Sequence, residues 1–322
     1  MRKLLIITIT IIVLLGSLFI LKLLFTKQQQ PNIIINDIAY SDTTQNIEFQ
    51  TIKQLPIPSS LIFAGEEVPL WNFDIRERLE RELTVNVFWH SSTLLSLKRA
   101  QRYLPYISSI LAKYGIPDDL KYIAIIESGL ANVVSPSKAV GFWQFLEETA
   151  KEFGLEVNKE IDERYNWKKS TDAACKYLLW LKERTGSWIL SCAAYNCGRT
   201  ALNRFINLQG KDNYFDLLLP EETERYLFRM FAFKIIFTDP KKYGYDIENL
   251  NLYPYIETQS VIVNKTISNL TEWAEERNLT YKELKYFNPW LRNNTLTVKK
   301  NKTYEIELPP ENYRQIYTHL LN

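Results

Sequence analysis

Apolar and polar positions follow three different rhythms along this chain. The first is unbroken. Eighteen residues from Leu4 to Leu21 carry no charge, behind the basic pair Arg2-Lys3. Lys22 can snorkel to an interface, so Leu23–Phe25 extend the run and residues 1–25 read as an N-terminal transmembrane signal anchor, basic end in the cytoplasm. A cleavable signal peptide has a shorter apolar region and a small-x-small site, and neither is evident; cleavage is the alternative. The first cysteine is Cys175, so no acylated cysteine can hold a processed N-terminus.

Residues 26–70 mix Gln, Asn, Thr and Pro without lasting periodicity and read as a tether, with room for a strand or two. From Trp71 the second rhythm begins, with apolar residues three and four apart. It predicts helices over "FDIRERLERELTV", over "SSTLLSLKRAQRYLPYISSILAKYG" with Ser91 or Ser92 as cap and Gly115 as stop, and from Pro117 through "PDDLKYIAIIES". Further helices are expected over 145–153, 170–184, 187–207 and 221–237, so residues 71–245 form a mainly α domain. Near residue 250 the rhythm changes again. "QSVIV" and "TYEIEL" alternate with a period of two around helical sequence, which predicts a strand–helix–helix–strand module over 252–310 and a tail over 311–322.

Composition narrows the chemistry. With 39 basic and 37 acidic residues the net charge is +2, which gives no basic footprint for nucleic acid. The two histidines, His90 and His319, lack metal-type spacing and leave no serine–histidine triad, so no metal and no cofactor is expected. Three cysteines, Cys175, Cys192 and Cys197, form no CxxC pair; one disulfide and three free thiols are both open. The 19 Tyr and 8 Trp serve core packing or, as flat apolar rings, a sugar groove.

One carboxylate stands out. In "AIIESGLANVVSPSKAVGFWQF", Glu127 continues the face of Leu120, Ile123 and Ala124 and falls in the last turn before Gly129. The negative end of the helix dipole and apolar neighbours both favour its protonated form, which is what a general acid requires. The plainer alternative is a surface glutamate at a fraying helix end.

Three blocks around it resemble the catalytic core of the lytic transglycosylases, the lysozyme-like murein lyases, closest to the membrane-bound lytic murein transglycosylase D type. They are Glu127-Ser128 with Ser135, Gly141, Trp143 and Gln144; then Ala194, Tyr195, Asn196 and Gly198; then "LPEETERYLFRM" with Tyr226. Between them, "IDERYNWKKSTDAACKYLLWL" is similar to the family's D-E-R and S-T-x-A-A stretch. The likeness spans about residues 75–240 and implies a goose-type lysozyme-like (SLT) helical fold. It implies that Glu127 is the sole catalytic acid/base, protonating the bond oxygen between N-acetylmuramic acid and N-acetylglucosamine. The muramic C6 hydroxyl then attacks C1 to give a 1,6-anhydro sugar, so no second carboxylate is needed to activate water. Ser128, Ser135, Gln144, Tyr195 and Asn196 correspond to groove positions, Ser135 orienting the acid or an acetamido group, and Tyr226 to the tyrosine that holds the carboxyl. Trp143 is expected in the core.

Two positions depart from the family pattern. Lys138 stands where a loop glycine is usual, at a cost if that site needs positive φ, and Cys197 fills the variable place before Gly198. The terminal module resembles a LysM domain, through "LTEWAEERNLTYKELKYFNPWLR" and "TYEIELPPE", without the usual G-D-T before its first helix. The expected partners are peptidoglycan glycan strands and, through residues 1–25, the membrane, with the catalytic domain in the periplasm. A lysozyme-type hydrolase and a non-catalytic wall-binding scaffold are the alternatives.

Overall fold

A computed structural model describes residues 54–316. The predicted anchor and the first half of the tether lie outside them, as does the end of the C-terminal tail. Among the described residues no helix is long and apolar enough to cross a membrane.

The body opens with a hairpin, β1 (Leu61–Phe63) against β2 (Glu66–Val68), turning on Ala64 and Gly65, both at positive φ. Positive φ at both central residues gives the turn the twist that antiparallel strands need. This part of the expected tether belongs to the folded body. Phe63 is fully buried against Phe231 at 5.0 Å, and Glu66 accepts hydrogen bonds from the Trp188 and Ile189 amides at a helix start. Three-residue strands leave little periodicity to read, and a cap from 122 residues away leaves none.

Helix α1 (Phe73–Phe88) is capped by Asn72 and buries Ile75, Leu79, Leu83 and Val87, one per turn. Helix α2 (His90–Lys113) follows after Trp89 alone, so Ser91 and Ser92 lie inside its first turn and neither is the cap. A 3-10 turn over Asp118–Lys121 leads into the short α3 (Tyr122–Ser128), so the helix predicted from Pro117 begins one turn late. Then come α4 (Glu147–Glu152), α5 (Trp167–Thr185), α6 (Trp188–Cys197) and α7 (Arg199–Gln209). The single helix expected over 187–207 breaks at Gly198, whose φ 82°, ψ 141° takes the backbone out of the helical region.

Helix α8 (Glu221–Thr238) buries ten of its residues, from Thr223 to Ile236, and packs on α1, α3 and α6. A helix apolar on nearly all sides lies inside its domain. Here it backs the end of α3.

The small module pairs β3 (Gln259–Val263) antiparallel with β4 (Tyr304–Leu308) and places α9 (Leu270–Glu275) and α10 (Tyr281–Phe287) between them. It has its own core, with Leu270, Leu284, Trp290, Leu296 and Ile306 buried. Thr280 and Glu283 form a capping box on α10. The buried Asn288 donates to the Leu284 and Glu307 carbonyls and accepts from the Glu307 amide, joining α10 to β4.

The module is fastened to the body. Asp162 N donates to Trp290 O, Arg292 N to Glu160 O, and the Glu160 carboxylate accepts from Thr297 N and from the Thr295 and Thr297 hydroxyls. Ile161 of the body sits inside the module's core.

Candidate active site

Gly129 at φ 59° ends α3 and leaves Glu127 in its last turn, half-buried. Tyr226, buried on α8, donates its hydroxyl to Glu127 Oε1 at 2.7 Å. Burial is the main influence on the carboxyl and raises its pKa to about 7. The Tyr226 hydrogen bond and the Arg229 charge pull it back, and Glu222 pushes it up slightly. Glu222 is itself exposed and paired to Arg229 at 2.9 Å. Both tyrosines near the acid, Tyr195 and Tyr226, are held well above the usual phenol range by burial and by the Glu127 charge, so they serve as neutral donors.

The loop after α3 is built by its own side chains. Ser128 Oγ lies 2.9 Å from both Ala124 O and Phe142 O and shares its one proton between them, tying the helix end to the far side of the loop. Ser135 Oγ accepts from Ala139 N at 3.0 Å, so this hydroxyl closes a tight turn. Gln144 Nε2 donates to Gly141 O and Val133 O. Lys138 is exposed at φ 64°, the left-handed region that favours glycine, so the expected cost to the loop is present. Gly141 is required for a different reason: a Cβ there would lie 2.0 Å from the Arg164 carbonyl oxygen.

Arg164 explains the acidic-basic stretch that the sequence left without a role. Its guanidinium is buried and forked onto Asp162, and it donates to the carbonyls of Lys138 and Phe145. The loop carrying Gln144 is thus pinned from below by a charge-assisted fork. Trp143 is fully buried, as expected, with Nε1 on Thr171 Oγ1. Its carbonyl accepts from Tyr195 OH at 2.7 Å. Asn196, next along α6, accepts through Oδ1 from Thr223 of α8.

Glu127 and Tyr226 are therefore in direct contact, with Ser128 beside them and Tyr195 near enough to sense the charge. Ser135, Gln144 and Asn196 make their hydrogen bonds to the loop and to α8. Arg229, Glu222, Arg99 and Thr223 were not singled out; Glu222, Thr223 and Arg229 stand inside the "LPEETERYLFRM" block that carried Tyr226, while nothing around Arg99 marks it. A cavity of about 330 Å³ opens over the acid, walled by Glu127, Ser92, Ser96, Arg99 and Arg229. Among the described residues, no three His, Cys, Asp or Glu gather as a metal ion would require. All three cysteines are free thiols, and burial pushes Cys175 up to about 12.

Comparison with known proteins fits this geometry. Residues 105–217 match the family described as transglycosylase SLT domain, and residues 259–312 the soluble lytic transglycosylase C-terminal LysM-like domain. The chain carries both in that order, within a mainly helical fold. It is homologous to the membrane-bound lytic murein transglycosylase D of Escherichia coli strain K12, 28% identical over 246 residues, covering 73% of this chain and 52% of that protein. The same protein from Escherichia coli O6:H1 matches to the same extent. The chain thus spans about half the length of these relatives. An inactive mutant of the lytic transglycosylase Slt of Pseudomonas aeruginosa covers 45% of this chain and 25% of its own, at 17% identity and TM-score 0.36, too slight a likeness to argue from.

Proposed function

We propose that this protein is a lytic transglycosylase that cleaves the β-1,4 bond between N-acetylmuramic acid and N-acetylglucosamine in peptidoglycan. One observation carries the reading. A single glutamate, raised to about 7 by burial, is held by a tyrosine hydroxyl in an open cavity. At neutral pH such a group populates both protonation states, as one residue acting first as acid and then as base must.

Tyr226 engages Oε1, so the mobile proton belongs on Oε2. Glu127 gives that proton to the bond oxygen and the glucosamine end departs. The sugar's own N-acetyl group steadies the positive centre at C1. The carboxylate then takes the proton of the muramic C6 hydroxyl, whose oxygen closes on C1, and Glu127 is neutral again. No water is consumed. Glu222 is exposed and held by Arg229, which makes it a poor candidate for activating water as an ordinary glycosidase requires. Ser128 lines the cavity, and Ser135, Gln144, Tyr195 and Asn196, which our reading places along the groove, stiffen the loop and helices around it.

The relatives' names point to the cell envelope. Our finer reading is an inner-membrane anchor over residues 1–25, a tether, the transglycosylase domain facing the periplasm, and a LysM-like module that adds contact with the wall. Digestion of sacculi tests the chemistry. Wild type should release muropeptides lighter by one water than hydrolysis products, and Glu127→Gln should release none. Products ending in reducing muramic acid would instead make it a hydrolase, and equal solubilisation by both forms would make it a binding scaffold.

A further inference from the structure

The loop over residues 129–145 is strained. Leu130, Lys138 and Gln144 all sit at positive φ, as do Gly129 and Gly141. Non-glycine backbone of this kind persists only where its surroundings over-determine it. Two of the loop's carbonyls join it to the site. Phe142 O lies 2.9 Å from the hydroxyl of Ser128, the neighbour of Glu127, and Trp143 O accepts from Tyr195.

Further support comes from residues 160–165, and that segment faces two ways. Toward the loop, Arg164 Nη1 donates to Lys138 O at 3.3 Å and to Phe145 O at 3.2 Å, and Asn132 Nδ2 donates to Tyr165 O at 3.1 Å. Toward the small module, Ile161 pairs with Leu291 in a β-bridge and enters the module's core. The Glu160 carboxylate is taken by Thr295 and Thr297, and the Arg292 guanidinium lies 4.1 Å from the centre of the Tyr165 ring. Asp162 works on both sides at once. Its amide donates to Trp290 O of the module at 2.9 Å, while its carboxylate holds the fork of Arg164.

A module that only bound wall polymer would need no more than a linker to the body. Here the body's Ile161 completes the module's core, and the arginine that props the loop is aimed by a residue the module holds. We propose that the small module is a positioning element of the catalytic site: by gripping residues 160–165 it sets the loop that meets the end of α3 through Ser128. A charge-assisted fork fixes direction as well as distance, so a shift of Asp162 is passed on to the carbonyls of Lys138 and Phe145. This role rests on Glu127 being the acid of a transglycosylase, and it gives the module a part in turnover separate from any contact with the wall.

The full chain is assayed on soluble, uncrosslinked glycan strands, with kcat read at saturating substrate, where wall binding by the module no longer counts. Glu160→Ala releases Thr295 and Thr297, and Arg292→Ala uncovers the Tyr165 ring; neither residue lines the cavity over Glu127. Each should lower kcat about fivefold with KM within about twofold, a fraction of the roughly hundredfold that a misplacement of 1 Å can cost. Glu160→Gln, whose side-chain oxygen still accepts from the Thr297 amide, should restore kcat to within about twofold of wild type. Thr280→Ala removes the capping box of α10, loosening the module away from residues 160–165, and should leave kcat within about twofold. Hydrogen exchange at the Ala139, Val140 and Phe145 amides should quicken in Glu160→Ala and Arg292→Ala and stay unchanged in Thr280→Ala. Wild-type kcat in both Glu160→Ala and Arg292→Ala overturns the proposal. Equal loss in Thr280→Ala also overturns it, because the effect would then be one of stability, and so does a loss carried by KM alone. Failure of the proposed function looks different: wild type itself would release no anhydro product.

Discussion

The cleft around Glu127 and the junction with the small module treat their carboxylates in opposite ways. In the body, Glu127 is enclosed with a phenol as its direct partner, and its pKa climbs to about 7. At the junction with the module, Glu160 gains a backbone hydrogen bond from Thr297 and two threonine hydroxyls, and its pKa falls below the usual range. Glu307 is half-buried, yet Thr258, Lys168 and Ser260 more than reverse the effect of that burial and its pKa also falls. An acid that holds structure together is given donors until its charge is secure. The acid proposed to move protons is denied them. Glu127 has one neutral donor, and that is enough to aim it without fixing its charge.

The comparison can be broken most decisively at Glu127. Replacing it by Gln should lower muropeptide release by more than about a thousandfold, the range expected for loss of an acid/base, with the fold retained. The same variant carries a stability signature of opposite sign to that of a structural acid. Because the folded pKa of about 7 lies above the ordinary 4.5, the native state holds its proton longer than the unfolded chain. Stability is therefore lost as pH rises between these values, by on the order of 3 kcal/mol at the upper end. Glu127→Gln should raise the melting temperature at pH 8 and leave it nearly unchanged at pH 4; thermal scans at both pH values decide it.

Next comes Tyr226→Phe. The hydroxyl lowers the acid's pKa, so its removal should move the alkaline limb of the pH–activity profile upward and cut turnover about tenfold to a hundredfold. A profile that drops without shifting would mean that Tyr226 acts only by packing.

Glu160→Ala probes the other side. It removes three accepted hydrogen bonds at the junction and should cost about 1 kcal/mol, visible as faster amide exchange over residues 259–312. Its pKa is lowered, so the support it gives is present above the ordinary glutamate pKa and fades as pH falls through the lower folded value. The smallest effect is expected at Lys138→Gly, which relieves a positive φ and should stabilise the loop by about 0.5–1 kcal/mol in a chemical melt.

Much of this was legible in the residues. Leu79, Leu83 and Val87 announce α1 by their spacing, and the alternation in "QSVIV" and "TYEIEL" announces the β3–β4 pair. Glu127 and Tyr226 could be singled out because short motifs carried them. What was not legible depended on contacts between distant segments. Nothing around Glu66 says that it caps α6, and nothing around Asp162 and Arg164 says that they pin a loop ending at Phe145. For Ser135 the residues around it give no hint that its hydroxyl accepts from the Ala139 amide, because a hydroxyl in a loop can serve a ligand or its own backbone. The break at Gly198 was hidden because apolar spacing continues on both sides of it.

The Glu66 contact has a mechanical side. Tension applied at Gln54 first meets a two-stranded hairpin, and that hairpin grips the start of α6 through a carboxylate on two backbone amides. The other end of the same ten-residue helix holds Tyr195 and Asn196. Load entering from the chain's leading side is therefore passed along a helix axis to the two side chains that tie α6 to Trp143 and Thr223. A pull on this protein is felt, by construction, at the far end of α6.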